Sequence, residues 1–173
     1  MDLPDKKYQV IYADPPWKYD FCPSKYFAIE SQYNTMELED IKKLPIKTTK
    51  DAVLYLWATS AKLIEALEVM KSWGFTYKTC AIWDKNCRGM GYWFLGQHEL
   101  LLVGTKGKFS PPLPKFIVSS IYMEKLNHKY KSRKPKYFRE LITRSFPELD
   151  KIELFATEKT DGWDSWGNEI KEG

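Results

Sequence analysis

The apolar positions of this chain fall into short runs and one-sided stripes that alternate along its length. YQVIYAD at 8–14 is an apolar run closed by an acid and reads as a short buried strand. LEDIKKL, from Leu38, suggests a short helix, and AVLYLWAT at 52–59 a second apolar strand. From 61 to 73, Leu63, Ile64, Leu67, Met70 and Trp73 recur at helical spacing and are expected on one inward face, with Gly74 as the stop. YKTCAIW at 77–83 and ELLLVGT at 99–105 read as strands on either side of a glycine-rich loop, CRGMGYW. Residues 106–116 form a Pro- and Lys-rich loop, after which FIVSSIY suggests another strand. Pro135 suits the first position of a helix reaching about Phe146, with Phe138, Leu141, Ile142 and Phe146 inward. KIELFA at 151–156 closes the series as a late strand. Helices alternating with strands that are mostly apolar throughout give an α/β sheet covered on both faces. With 173 residues and no repeat or low-complexity tract, residues 1–173 are expected to be one domain.

Composition adds three constraints. No run approaches the roughly 20 apolar residues of a membrane span, and MDLPDKKYQV has no apolar signal core, so a soluble, cytoplasmic protein is expected. Cys22, Cys80 and Cys87 make no CxxC pair, and His98 and His128 lie far apart, so no metal site is expected. The net charge of +4 conceals a concentration: eleven Lys and Arg against two acids, Glu124 and Glu140, between Lys106 and Arg144. That segment is either a polyanion-binding face or a solvated lysine-rich surface. An aromatic share of 16% exceeds what a core of this size needs and favours rings at a binding surface.

The chemistry concentrates in YADPPWKYD at 12–20. In open α/β sheets ligands bind beyond the carboxyl ends of strands, which is where Asp14 falls. Pro15 and Pro16 fix φ near −65° and lack N–H groups, and Pro15 biases Asp14 toward an extended backbone. Strand, acid, two prolines and Trp17 together describe a rigid shelf for a flat ligand bearing an amino group. The ring would stack on Trp17, while Asp14 and the Pro15 carbonyl accept the two amino N–H groups. Acceptors fixed in that geometry draw a conjugated nitrogen toward the tetrahedral shape it needs for attack, and so favour the transition state.

These residues carry a resemblance. The strand followed by DPPW is similar to the signature of S-adenosylmethionine-dependent amino-methyltransferases, and its tryptophan form resembles the family of the messenger-RNA N6-adenosine methyltransferase catalytic subunit with its bacterial and phage relatives. YNTM at 33–36, YLWAT at 55–59, IWDK at 82–85, GYW…QHELLLVGTKG at 91–107, SRKP at 132–135, KIELFA at 151–156 and GWDSWGNE at 162–169 follow in family order. The resemblance implies a single-domain class I (Rossmann-like) methyltransferase fold, a mixed sheet flanked by helices in permuted order with the DPPW half first. It implies S-adenosylmethionine as cofactor and methyl transfer to the N6 amine of adenine in DNA or RNA, with the base flipped out or single-stranded. Asp14, Pro15, Pro16 and Trp17 would form the catalytic shelf. Asp14, Lys134, Glu153, Phe155, Asn168 and Glu169 would meet the cofactor, with Thr157 standing where the family usually has arginine and Lys159 as its substitute. Tyr33, Trp57, Trp83 and Glu99 would line the adenine side, although burial within strands competes with base contact for the two tryptophans. Lys106, Lys108, Lys129, Lys131 and Arg133, in the basic segment, would follow the nucleic-acid backbone. The competing reading is a catalytically silent nucleic-acid-binding or partner subunit, and a homo- or hetero-oligomer is compatible with either.

Overall fold

The computed structural model describes residues 3–19, 35–89, 91, 93–126 and 133–167. Seven strands form one sheet: β1 (Tyr8–Ala13), β2 (Thr48–Ala58), β3 (Thr76–Asp84), β4 (His98–Lys106), β5 (Ile121–Met123), β6 (Lys151–Leu154) and β7 (Asp164–Trp166). Their order across the sheet is β5-β3-β4-β2-β1-β6-β7. β1 is parallel to both β2 and β6, β6 to β7, and β3 to β5, whereas β4 runs antiparallel to β2 and β3. Six strands therefore end on one edge of the sheet, and β4 alone begins there. The chain enters this sheet near its middle, through β1, and completes the β6–β7 side last, which is the permuted order the resemblance implies.

Alternation along β1 divides the core. Ile11 and Ala13 point to one face, where Ile41 of α1 (Leu38–Lys42) and Ala66, Val69 and Met70 of α2 (Leu63–Ser72) cover them together with Trp73 and Phe75. Val10 and Tyr12 point to the other, where Phe138 and Ile142 of α3 (Lys136–Ser145) pack with Trp57, Trp83 and Trp163. Each large apolar side chain so buried contributes on the order of 1.5–3 kcal/mol, which is why strands apolar on both faces hold the centre of the sheet.

Several expectations shift in detail. The stretch 61–73 opens with a 3-10 turn at Ser60–Lys62 before the helix. Leu63, Leu67, Met70 and Trp73 lie inward as expected, with Ala66 and Val69 beside them, while Ile64, expected inward, is 72% exposed. Gly74, at φ +82°, ends the helix as expected. Of FIVSSIY only Ile121 and Tyr122 join a strand, and Pro135 caps α3 from outside instead of opening it. Polar Thr48–Asp51 extends β2 backwards, and β7 is a strand the pattern did not announce.

Candidate active site

Asp14 stands at the end of β1, where the chain leaves the sheet between β2 and β6. Its N–H reaches the Leu154 carbonyl of β6 at 3.5 Å. The two prolines then hold a short turn: the Trp17 N–H donates to the Pro15 carbonyl and the Met36 N–H to the Pro16 carbonyl, each at 2.9 Å. Each carbonyl keeps a second lone pair, so neither is lost as an acceptor for a ligand.

Lys134 lies opposite Asp14. Pro135, the residue that caps α3, disfavours helical backbone at the residue before it, which keeps Lys134 out of the helix. Its Nζ lies 2.6 Å from Asp14 Oδ2 and 3.3 Å from Glu99 Oε2. Lys85 approaches Glu99 from the other side at 3.3 Å. Two acids and two lysines thus form a neutral cluster over the ends of β1, β3 and β4, and the Lys134 ammonium sits 5.7 Å from the Trp57 ring centre. Burial alone would lower Lys134, but Asp14 and Glu99 outweigh it and hold the ammonium well above its ordinary value. Burial lifts Asp14 above its ordinary value against the pull of Lys134, and the Glu99 charge adds to that lift. For Glu99 burial is outweighed by Lys134 and Lys85, and its carboxyl lies below the ordinary range.

An aromatic layer supports this cluster from beneath. The Trp17 indole N–H donates to the Trp57 carbonyl at 3.1 Å, and the Trp57 indole N–H to the Tyr12 hydroxyl at 2.6 Å. Trp57 meets Tyr12, Trp83 and Phe138 edge to face, with ring centres 5.3–6.4 Å apart. Trp17, Trp57 and Trp83 are 6%, 0% and 2% exposed. For Trp57 and Trp83 the structure favours burial, the competing reading, and it corrects the expectation that the Trp17 ring is presented to a base. They are floor, held there because each indole N–H finds a carbonyl or hydroxyl partner inside, Trp83 donating to the Glu124 carbonyl at 2.8 Å.

On the β6 side, Glu153 turns toward α3 and pairs with Arg139 at 2.7 Å. Arg139 also reaches Glu158 at 3.0 Å, and Glu158 pairs in turn with Arg133 at 2.8 Å. Burial raises Glu153 above its ordinary value while Arg139 opposes it. Arg139 is the residue that sequence reasoning missed: it staples α3 to the end of β6 and to the loop beyond. A signal for it existed in the isolated Glu153 of an otherwise apolar strand, which required a cation. Phe155, at φ +61°, packs on Trp166 with ring centres 5.4 Å apart, while Thr157 and Lys159 are exposed. At Gly167 a Cβ would come 2.3 Å from the Ala156 carbonyl oxygen, so only glycine lets the chain after β7 lie against the end of β6.

The nominated backbone contacts divide. Lys106 closes β4 at the far edge, paired in register with Ala52 and bonded to Thr48 at 2.9 Å, and Lys108 follows it beside Asp51. A nine-residue strand spans about 26 Å, so these two lysines do not share an edge with Asp14, and the run of basic residues is not one face. Arg133 does lie on the catalytic side. Tyr33, Lys129, Lys131, Asn168 and Glu169 fall outside the described residues.

An amino-acid-bearing sulfonium cofactor presents a carboxylate and an ammonium, and Lys134 beside Asp14 offers the complementary pair in the crevice between β1 and β6. The donor set fits. Among the described residues no group of three or more His, Cys, Asp or Glu is placed to hold a metal ion, and no helix is long and apolar enough to cross a membrane.

Residues 8–169 match the MT-A70 family. A type II methyltransferase of Mycoplasma, M.MunI, is 38% identical over 97% of this chain and 80% of its own length. An Arabidopsis thaliana N(6)-adenosine-methyltransferase MT-A70-like protein is 27% identical over 93% of the chain, which spans only 23% of that relative. The mouse N(6)-adenine-specific methyltransferase METTL4 is 25% identical over 95% of the chain and 38% of its own length.

Proposed function

Because the chain belongs to the MT-A70 family, and is thus an S-adenosylmethionine-dependent N6-adenine methyltransferase acting on nucleic acid, we propose that its substrate is DNA, handled by one catalytic domain spanning residues 1–173. Support for DNA comes from the type II methyltransferase, the relative whose own length the chain nearly fills. Cytoplasmic location, in a bacterial or phage setting, belongs to the same reading.

The observation that carries the site assignment is Asp14 held 2.6 Å from Lys134 at the junction of β1 and β6. When bound, the cofactor supplies a methyl group already activated on a sulfonium, so the chain's task is positioning. Lys134 would hold the cofactor carboxylate, which would free Asp14 from its ion pair. Asp14 and the free lone pair of the Pro15 carbonyl would then accept the two N–H groups of the adenine amine and orient its nitrogen for in-line attack. As the C–N bond forms, the S–C bond breaks with its electron pair left on sulfur, and the extra proton on nitrogen passes to Asp14, whose basicity burial has raised. Pro16 and Trp17 keep this shelf rigid from behind. Arg139 fixes Glu153 beside the nucleoside end of the crevice. An adenine stacked inside a duplex cannot bring its amine to Asp14 at the strand end, so it is flipped out or single-stranded.

The test is incubation with isotopically labelled cofactor and matched DNA and RNA oligomers, followed by mass spectrometry of the nucleosides. N6-methyladenine in DNA is expected. Its appearance only in RNA overturns the polymer assignment, and its absence from both overturns the enzyme. Asp14→Ala should retain the fold and lose transfer by at least about a thousandfold, the scale seen on removing a transition-state donor; full activity in that variant would remove Asp14 from the mechanism.

A further inference from the structure

The chain between β3 and β4 forms a pinned hairpin on the catalytic edge. Asp84 Oδ1 accepts the Asn86 N–H at 2.8 Å and the Gln97 side-chain amide at 2.9 Å. Above that base, the Lys85 N–H donates to the Gln97 carbonyl at 2.9 Å and the Gly89 N–H to the Gly96 carbonyl at 2.8 Å. Near the tip a Cβ on Gly91 would come 1.9 Å from the Phe94 carbonyl oxygen, so the turn is closed on itself. This tip carries Trp93 and Phe94, which are 93% and 89% exposed. The contrast with the other six tryptophans is sharp, since all of those are buried or half-buried. The hairpin's return leg ends at His98, and the next residue, Glu99, is the acid that shares Lys134 with Asp14. Exposed Arg88 stands on the outgoing leg.

We propose that Trp93 and Phe94 are a stacking platform for the nucleobases that flank the target adenine, occupying the space the adenine vacates when it swings onto the shelf. The proposal rests on the nucleic-acid reading above and adds a second contact point to it. Two aromatic faces held in water, on a loop that also carries an exposed arginine, are the chemistry that grips single-stranded or opened nucleic acid without reading its sequence. Each ring can bury about 150–250 Å². Together they fall short of the roughly 800 Å² per partner that a stable protein interface requires, which favours bases over a second protein as the occupant.

The experiment uses the full chain and oligomers carrying 2-aminopurine next to the target adenine, whose fluorescence drops when it stacks. Trp93→Ala and Phe94→Ala should each weaken oligomer binding about tenfold and restore part of the fluorescence, and Trp93→Phe should keep most of both. Cofactor affinity and melting temperature should stay unchanged, because both rings are almost wholly exposed. A double variant that binds and quenches like the wild type overturns the platform. So does a double variant that loses only self-association in sedimentation, which would make the hairpin a contact between copies of the chain. Should the wild type itself neither bind nor methylate the oligomers, the nucleic-acid reading falls with it; should it methylate while the double variant is indistinguishable, the platform alone falls.

Discussion

Replacing Lys134 with methionine keeps the stem and removes the charge, and its consequences follow from the distances. Asp14 and Glu99 would be left facing each other across the space that the ammonium fills at 2.6 and 3.3 Å, with Lys85 as their one remaining counter-charge in the cluster. Breaking a buried ion pair from one side costs roughly 3–5 kcal/mol. The Asp14 side chain is 30% exposed, so water offsets part of this, and the expected cost is about 2 kcal/mol. For a domain of this size that lowers the melting temperature by about 4–8 °C. Both carboxyl groups would then titrate above their unfolded values. Their penalty is complete above those raised values and disappears as pH falls below the ordinary carboxylate range, so the deficit should be large at pH 8 and shrink toward pH 4. Thermal unfolding followed by circular dichroism measures this, with Asp14→Asn added to close a double-mutant cycle. Neutralising Asp14 in the Lys134→Met background should recover about half of the loss. A deficit that ignores pH, together with strictly additive effects, would refute the shared-lysine account.

Two further outcomes concern the β6 side. Arg139→Leu strands Glu153 without its cation and leaves Glu158 with Arg133 alone, and should lower the melting temperature by several degrees and weaken cofactor binding in calorimetry. Arg139, through a direct hydrogen bond, and Arg133 hold Glu158 below its ordinary value, so the wild type should lose that stabilisation as pH falls through the carboxylate range, and the variant, which keeps Arg133, should show a shallower acid-side slope. Gly167→Ala places a methyl 2.3 Å from the Ala156 carbonyl oxygen and 2.7 Å from its nitrogen. It should separate β7 from the end of β6 and reduce cofactor affinity about tenfold, with oligomer binding in the absence of cofactor unchanged.

Strand-length apolar runs gave away the middle of this sheet because β1, β2 and β4 are buried on both faces and need no partner to declare themselves. β7 escaped notice because Asp164–Trp166 is three half-buried residues at an edge, too short for any period to register. The exposure of Ile64 escaped for a different reason: hydropathy does not tell which apolar residue of a helical stripe falls at its solvent margin. In the site, the strand-end acid and the prolines were legible because their effect is local. The Asp14–Lys134 pair joins residues 120 positions apart, and only the resemblance pointed toward it. Aromatic abundance was misleading in one respect, since composition does not separate rings that floor a pocket from rings that line it. Trp17, Trp57 and Trp83 went to the floor, while Trp93, in a loop the pattern marked only as glycine-rich, stands in the open.

Trp17 and Met36 meet in an isolated parallel bridge beside the Pro16–Met36 hydrogen bond. The polypeptide therefore departs from the catalytic shelf and comes back to it through a single neck. The Pro16–Met36 bond, the Trp17–Met36 bridge and the Tyr19–Thr59 hydrogen bond anchor the shelf themselves, so changes of sequence beyond Tyr19 and before Met36 are expected to leave Asp14 in place. Evolution can thus treat that segment as an exchangeable cassette. The chemistry is inherited with the sheet, and the choice among polymers and sequence contexts can be refitted one loop at a time.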